Sequence, residues 1–464
     1  MKQSTMLAVT PWLPRFMMAT VGVISVGLTL VPRTAGPQQA GPAHAPTSGP
    51  VMQHGVEIHL KLRSESSPIG LLAATAPLLH LAANVHDARA RWRVTHASAD
   101  EAEAMVAALL ADPAVETAFV APTIALAVTV PNAMGGDVQR ESCPIATPSY
   151  ESYQGYLAPA PGGIDAAAAW QRGSRGAGVW FADIEGNWNP AHEDLDGKRI
   201  THVGGERIDD RGWRAHGTAV LGEVVGVDNG KGVVGIAPDV DRVFTSSIGG
   251  TSVADAINAA QMALRPGDVL LIELQGAGPR RNYIAVEYWD DIYDVIRAAT
   301  DRGVIVIEAA GNGGENLEHK AYGGKFDRRV RDSGAIVVGA GGPARKGFTD
   351  RARLDFSNYG ARVDVQGWGR GVATLDYGDL QKCSEAGDRH YTDAFSGTSS
   401  ASPIVAGAAI LLQSMARAHG APMTPVQMRD VLRATGTAQT GNTKQQIGPR
   451  PDLARAIARV WPDR

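Results

Sequence analysis

Two hydrophobic periods run along the chain from about residue 56, and the change between them divides it. Val56-Glu57-Ile58-His59-Leu60-Lys61-Leu62 alternates apolar and polar positions, the period of a strand with one buried face. Ser98 and Glu101 stand at capping-box spacing ahead of Ala102, Met105, Val106, Leu109 and Leu110, which are apolar at helical intervals until Asp112-Pro113 stops the run. Val115-Glu116-Thr117-Ala118-Phe119-Val120-Ala121-Pro122 then reads as a closing strand. Together these elements predict a small α+β unit.

From about Gly162 the pattern becomes short apolar runs alternating with helical stretches, as in a parallel sheet covered on both faces. Strands are predicted at Val179–Asp183, Arg242–Ile248, Val269–Leu274, Val304–Ala309 and Ala335–Gly339. Helices are predicted at Thr218–Val225, Val253–Leu264, Ile292–Arg302 and Ser399–Ala416. Near the C-terminus Thr424 caps a further helix, with Pro425 at its first position, Gln427 at its third and Gly436 at its end. The fold class expected is α/β, with the small α+β unit in front.

Ahead of both units, Phe16–Val31 is an uninterrupted apolar run between Arg15 and Pro32-Arg33. It is short for a membrane span and suits a secretory signal, with an uncleaved anchor as the alternative. A Pro/Gly/Ala-rich linker, Gly36–Pro50, follows. The expected organisation is therefore signal or anchor with linker (1–45), α+β unit (46–135) and main domain (136–464).

Composition narrows the function. A net charge of −4 over 464 residues offers no concentrated basic surface for nucleic acid or for an anionic membrane. The two cysteines, Cys143 and Cys383, are too few and too far apart for a paired-CxxC zinc site. In an oxidising compartment they are expected to form one long-range disulfide, two separate thiols being the alternative.

Three residues suggest nucleophilic catalysis. Phe395-Ser396-Gly397-Thr398-Ser399-Ser400-Ala401-Ser402-Pro403 leads into a long apolar helix, so Ser399 falls near unpaired N–H groups at the positive end of the helix dipole. A serine hydroxyl needs a positioned base, and the base needs an orienting partner. His216-Gly217-Thr218 opens an apolar segment and puts an imidazole at a predicted helix start. Asp183 ends the strand Val179-Trp180-Phe181-Ala182, at the edge where parallel sheets carry functional groups.

In their order Asp, His, Ser, these pieces resemble the subtilisin family of serine peptidases. The matching stretches are Ala182-Asp183 with His192-Glu193-Asp194-Leu195, then His216-Gly217-Thr218, Ala310-Gly311-Asn312-Gly313, and Gly397-Thr398-Ser399-Ser400-Ala401-Ser402-Pro403. The resemblance implies a three-layer fold and a secreted serine endopeptidase acting through an acyl-enzyme, with Ser399 as nucleophile, His216 as base and Asp183 orienting it. It implies that Asn312 donates to the oxyanion beside the Ser399 N–H. Peptide substrate would lie as a strand between Ser247-Ile248-Gly249-Gly250 and Leu274-Gln275-Gly276.

The small unit would be an inhibitory propeptide, and its Asp112-Pro113-Ala114-Val115-Glu116 is similar to that of the family. No cofactor is implied for catalysis, and calcium, frequent in such enzymes, has no recognisable loop in this chain. The partners implied are a protein or peptide substrate and the propeptide, with no stable membrane association once a signal is removed. The chain departs from the family's pattern at Ile184-Glu185-Gly186, where a second carboxylate stands near Asp183. It departs again at Ala219, where a second histidine is common, and at Gly367-Trp368-Gly369 in place of Ala-Pro-Gly. The related sedolisin class replaces the histidine with glutamate, and His216-Gly217-Thr218 argues against it.

Overall fold

The computed structural model describes residues 56–63, 91–96, 99–128, 143–383 and 386–462. The predicted signal and linker, and the capping serine Ser98, lie outside the described residues.

Strand β1 (Val56–Leu62) pairs antiparallel with β2 (Arg91–His96) on one side and β3 (Val115–Val120) on the other, and helix α1 (Ala99–Leu110) covers the sheet. The alternation in β1 does what it predicts, for Ile58, Leu60 and Leu62 join Ala102, Leu109 and Val115 in a small core. After Pro122 the chain forms one more short strand, β4 (Ile124–Leu126), which leaves this sheet altogether.

The large domain is built on seven parallel strands: β5 (Trp180–Glu185), β6 (Ile200–Gly204), β7 (Arg242–Ser247), β8 (Val269–Ile272), β11 (Ile305–Ala309), β12 (Ile336–Gly341) and β13 (Val365–Trp368). Their spatial order is β13-β12-β11-β8-β5-β7-β6. Strand order reverses at β5, and in open α/β sheets the crevice at such a reversal, beyond the carboxyl ends, is where ligands bind. The predicted Val269–Leu274 strand is in fact two: β9 (Leu274–Ala277) turns out of the sheet and pairs with β10 (Tyr283–Ala285) and with β4.

Helix α2 (Arg211–Val225) and helix α5 (Thr398–Ala418) pack in one core with Phe181 and Ile307, whereas α3 (Val253–Ala263) and α4 (Asp290–Asp301) cover the opposite face with Ala182 and Ile184. This is the three-layer α/β arrangement. Helix α5 is long and apolar enough to cross a membrane, but its window is wholly buried in the protein core. Helix α6 (Pro425–Thr435) begins with the capping box read from Thr424 and Gln427, and a further helix, α7 (Leu453–Val460), follows it. A short antiparallel sheet, β14 (Val372–Leu375), β15 (Gln381–Lys382) and β16 (His390–Phe395), delivers the chain to α5.

Candidate active site

Side chains alternate across β5, so Asp183 and Glu185 share the face of Phe181, toward α2 and α5. Helix α2 starts earlier than the apolar run suggests, because Asp210 caps it by accepting from the Trp213 N–H at 2.9 Å. His216 consequently sits in the second turn rather than at the helix start. Its Nδ1 bonds Glu185 Oε1 at 2.5 Å, and both residues are fully buried.

The assignment of Asp183 to that position is corrected by this geometry. Asp183 Oδ2 accepts instead from the Trp188 indole N–H at 2.7 Å, and among the described residues its Oδ1 has no partner. The physical reason is strand length: β5 continues two residues beyond the predicted end. At about 3.3 Å per residue Glu185 stands roughly 6.6 Å further along the same face, on a longer side chain. Asp183 reaches α2 through Trp188. The Trp188 ring it holds presses on α2 at Gly217, where a Cβ would lie 2.8 Å from the indole Cδ1 and 2.4 Å from the Asn187 carbonyl oxygen.

Burial opposes charge throughout this pair. It raises the Glu185 carboxyl well above the usual range and pushes the His216 imidazole down to about 3. Asp183 is raised by burial first and by the neighbouring Glu185 second. The imidazole is thus neutral, the form a general base requires, and its buried Nε2 has no partner among the described residues. The ring packs edge-on against Phe395, at the end of β16, with centroids 5.4 Å apart.

Ser399 is the second residue of α5, where helix N–H groups have no intrahelical acceptor. Its N–H donates to the carbonyl of Ala127 at 3.0 Å, while its hydroxyl is buried without a hydrogen-bond partner among the described residues. Asn312 follows β11. Its Oδ1 accepts from the Thr398 N–H at 2.9 Å and from the Thr398 hydroxyl at 3.0 Å, which leaves Nδ2 as a buried donor with no partner among the described residues.

The segment from Pro122 to Val128 fills the crevice. Strand β4 pairs antiparallel with β9, with Ile124 opposite Gly276, Ala125 opposite Gln275 and Leu126 opposite Leu274. Beyond it the Ala127 N–H reaches the Glu273 carbonyl at 3.4 Å, and Val128 bridges to Gly397. Gly397 has φ of 113°, and a Cβ there would meet the Ala127 oxygen at 2.3 Å, so only glycine permits this approach.

Of the two predicted peptide edges, Leu274-Gln275-Gly276 therefore carries an extended segment. Ser247-Ile248-Gly249-Gly250 does not: Gly249 pairs with Glu206, and Ser247 Oγ bonds the carbonyls of Gly186 and Glu206. The turn after β6 has taken the edge that the glycines at 249 and 250 leave open.

Sequence reasoning noted Glu185 only as a second carboxylate near Asp183, without its bond to His216, and missed the Ile124–Val128 segment and Glu273. Glu185 had a signal, an acid immediately before the strand-ending Gly186. Glu273 also had one, as a carboxyl inside the otherwise apolar run Val269–Leu274. Among the described residues neither of its buried oxygens has a hydrogen-bond partner; burial and then Glu185 raise its pKa well above the usual range, and the hydroxyls of Ser402 and Ser399 face it. Cys143 and Cys383 are joined as a disulfide, with Cα atoms 4.8 Å apart across 240 residues of sequence. Among the described residues no group of three His, Cys, Asp or Glu side chains is arranged to hold a metal ion.

A parallel sheet with this strand order, carrying a buried His–carboxyl pair and a serine at a helix N-terminus, defines a subtilisin-like α/β fold. The sequence profile of the Subtilase family matches residues 162–448, and the chain belongs to that family. It is 30% identical over 288 residues to alkaline elastase YaB of Bacillus sp. (strain YaB), a match covering 61% of this chain and 65%, just under two thirds, of that relative. It is 28% identical over 282 residues to subtilisin Savinase of Lederbergia lenta, covering 59% of this chain and 89% of that one. The crystal structure of fervidolysin from Fervidobacterium pennivorans, described as a keratinolytic enzyme related to subtilisin, superposes with a TM-score of 0.56 at 18% identity, over 88% of this chain and 62% of that one.

Proposed function

We propose that the protein is a serine endopeptidase made as a precursor, in which the N-terminal α+β unit inhibits the enzyme and its tail is the first peptide cut. Ser399 attacks, His216 Nε2 takes the hydroxyl proton, and Glu185 holds the imidazole and stabilises its charged form. The oxyanion receives the Ser399 N–H and Asn312 Nδ2. His216 then gives the proton to the departing amine, leaving an acyl-enzyme that water hydrolyses.

The observation that carries this reading is the Ala127 carbonyl accepting from the Ser399 N–H at 3.0 Å, beside a helix that also orients an unpartnered Asn312 Nδ2. The bond in register for cleavage is Ala127–Val128. Ala127 N–H to the Glu273 carbonyl and β4 on β9 supply the strand-like seat that peptide recognition uses. Export is supported by the apolar run Phe16–Val31 and by the disulfide, which is rare in a reducing cytosol.

N-terminal sequencing of the matured protein tests the reading. It should begin at Val128, and the Ser399→Ala precursor should stay intact. Normal maturation of purified Ser399→Ala would assign the cut to another protease. Undiminished peptide hydrolysis by that variant would remove Ser399 from the mechanism.

A further inference from the structure

Gln275 is buried, only 2% exposed, and both ends of its side-chain amide are engaged. Nε2 donates to the carbonyl of Leu126 at 2.6 Å, and Oε1 accepts from the backbone N–H of Asn312 at 2.8 Å. The amide cannot be reversed, since its oxygen would then face a carbonyl and its NH₂ an N–H.

The ladder shows why a side chain is needed at this point. Ala127 N–H bonds the Glu273 carbonyl, and Leu126 stands opposite Leu274. By antiparallel alternation Leu126 and Leu274 are a non-hydrogen-bonded pair, so the Leu126 carbonyl points away from the ladder. Gln275 gives it a donor. Through its other end the same amide grips the main chain of Asn312, whose Oδ1 is already tied to Thr398, next to Ser399. Asn312 is therefore held from two sides, by the nucleophile's helix and by a group that is satisfied only when a peptide carbonyl lies one residue ahead of the scissile carbonyl.

Resting on the function proposed above, we infer that Gln275 is a positioning residue: it reads the peptide carbonyl preceding the reacting residue and passes that occupancy to the oxyanion-binding Asn312. With the carbonyl present, both ends of the amide are bonded and Asn312 is fixed. Without it, Nε2 loses its buried acceptor and the amide is free to rotate away from Asn312, so oxyanion stabilisation falls. The site then favours acylated peptide chains over simple esters during the chemical step, not only during binding.

The test compares Gln275→Met and the shorter amide Gln275→Asn with wild type, each matured and titrated at Ser399 with a fluorophosphonate so that rates are per active site. Two probes are used: acetyl-Ile-Ala-Leu-Ala p-nitroanilide, which has the carbonyl, and p-nitrophenyl propionate, which lacks it. Both variants should lose about tenfold or more in kcat on the peptide, the scale of a slightly misplaced catalytic group, with KM changing less. Propionate hydrolysis should stay within about twofold of wild type. Asn312→Ala should slow both probes. Equal losses on the two probes would make Gln275 a structural prop of the loop and overturn the coupling. A rise in KM with unchanged kcat would reduce it to a binding contact and also overturn the coupling. Failure of wild-type protein to react with the fluorophosphonate would sink the peptidase reading itself, a distinguishable result.

Discussion

At its tail the N-terminal unit touches the large domain through backbone hydrogen bonds and apolar side chains, whereas on its sheet it adds charged pairs beside the packed ring of Phe119. Ala125, Leu126 and Ala127 are buried against β9 and Gly397. On β1, His59 Nδ1 bonds Asp291 at 2.7 Å and Lys61 Nζ pairs with Asp294 at 2.9 Å, which sets two basic side chains against acids of α4, while Lys61 also pairs with Glu116 of β3 at 3.2 Å. On the function proposed above, the tail contacts use the same groups of the large domain as the chemistry does. The charged face lies on α4, away from Ser399, and on the same proposal it would set inhibitor strength independently. Processing and release would then answer to different physics.

The largest effect expected is on the tail side. Ser399→Ala should cut turnover by about 10⁶-fold, the scale for a triad acting as a unit, and keep the Ala127–Val128 bond whole in the precursor by mass spectrometry. Next comes the contrast between the two acids of β5. Glu185→Gln should lower kcat by about 10³–10⁴-fold, because the imidazole loses the carboxylate that fixes its tautomer and balances its charge. Asp183→Asn should stay within about tenfold of wild type, since the nearly isosteric amide oxygen can still accept from the Trp188 indole N–H and burial already disfavours charge there. If the two variants swapped these outcomes, Asp183 rather than Glu185 would be the partner of the imidazole. Asn312→Ala should lower kcat by about 10²–10³-fold and slow precursor cleavage in proportion.

The smallest effect separates the charged face from the tail. Burial alone would depress His59, but the charge and hydrogen bond of Asp291, joined by Glu57, raise it to about 9. Phe119 packs on the same ring. A group raised on docking strengthens the complex fully below its free value of about 6.5, and that contribution is lost as pH rises through 9. Inhibition of the mature enzyme by the added N-terminal unit should therefore weaken about tenfold or more between pH 6.5 and pH 9.5. His59→Gln should flatten the profile without altering kcat on a peptide anilide. An inhibition constant independent of pH in wild type would show that the tail alone sets the affinity.

Much of the fold was legible because burial leaves a period. The alternation in β1, the apolar runs of β7, β8 and β11, and the Thr424 capping box all appear where the pattern put them. Edge strands were not legible. β6 is an edge strand with a half-exposed pattern, and its Ile200-Thr201-His202-Val203-Gly204 carries too little apolar signal to stand out. The turn after β6 was equally hidden, and by pairing with Gly249 it removed one of the two predicted peptide edges. The break between β8 and β9 was hard to see because Leu274, the first residue of β9, is as buried and apolar as the run of β8 before it; only the direction of the chain differs.

The sequence by itself determined the chemistry present: a serine after glycine at a helix start, a histidine on an apolar helix, an asparagine between glycines and an acid on the first strand of the sheet. It also determined the face of that strand, because Phe181, Asp183 and Glu185 are two residues apart and a period of two cannot separate them. Which acid meets the imidazole was decided by tertiary structure alone, through how far β5 extends and where Asp210 starts α2. The same holds for Ala127, more than 270 residues before Ser399 in the chain: no local pattern couples them, and only the folded sheet puts its carbonyl on the serine N–H.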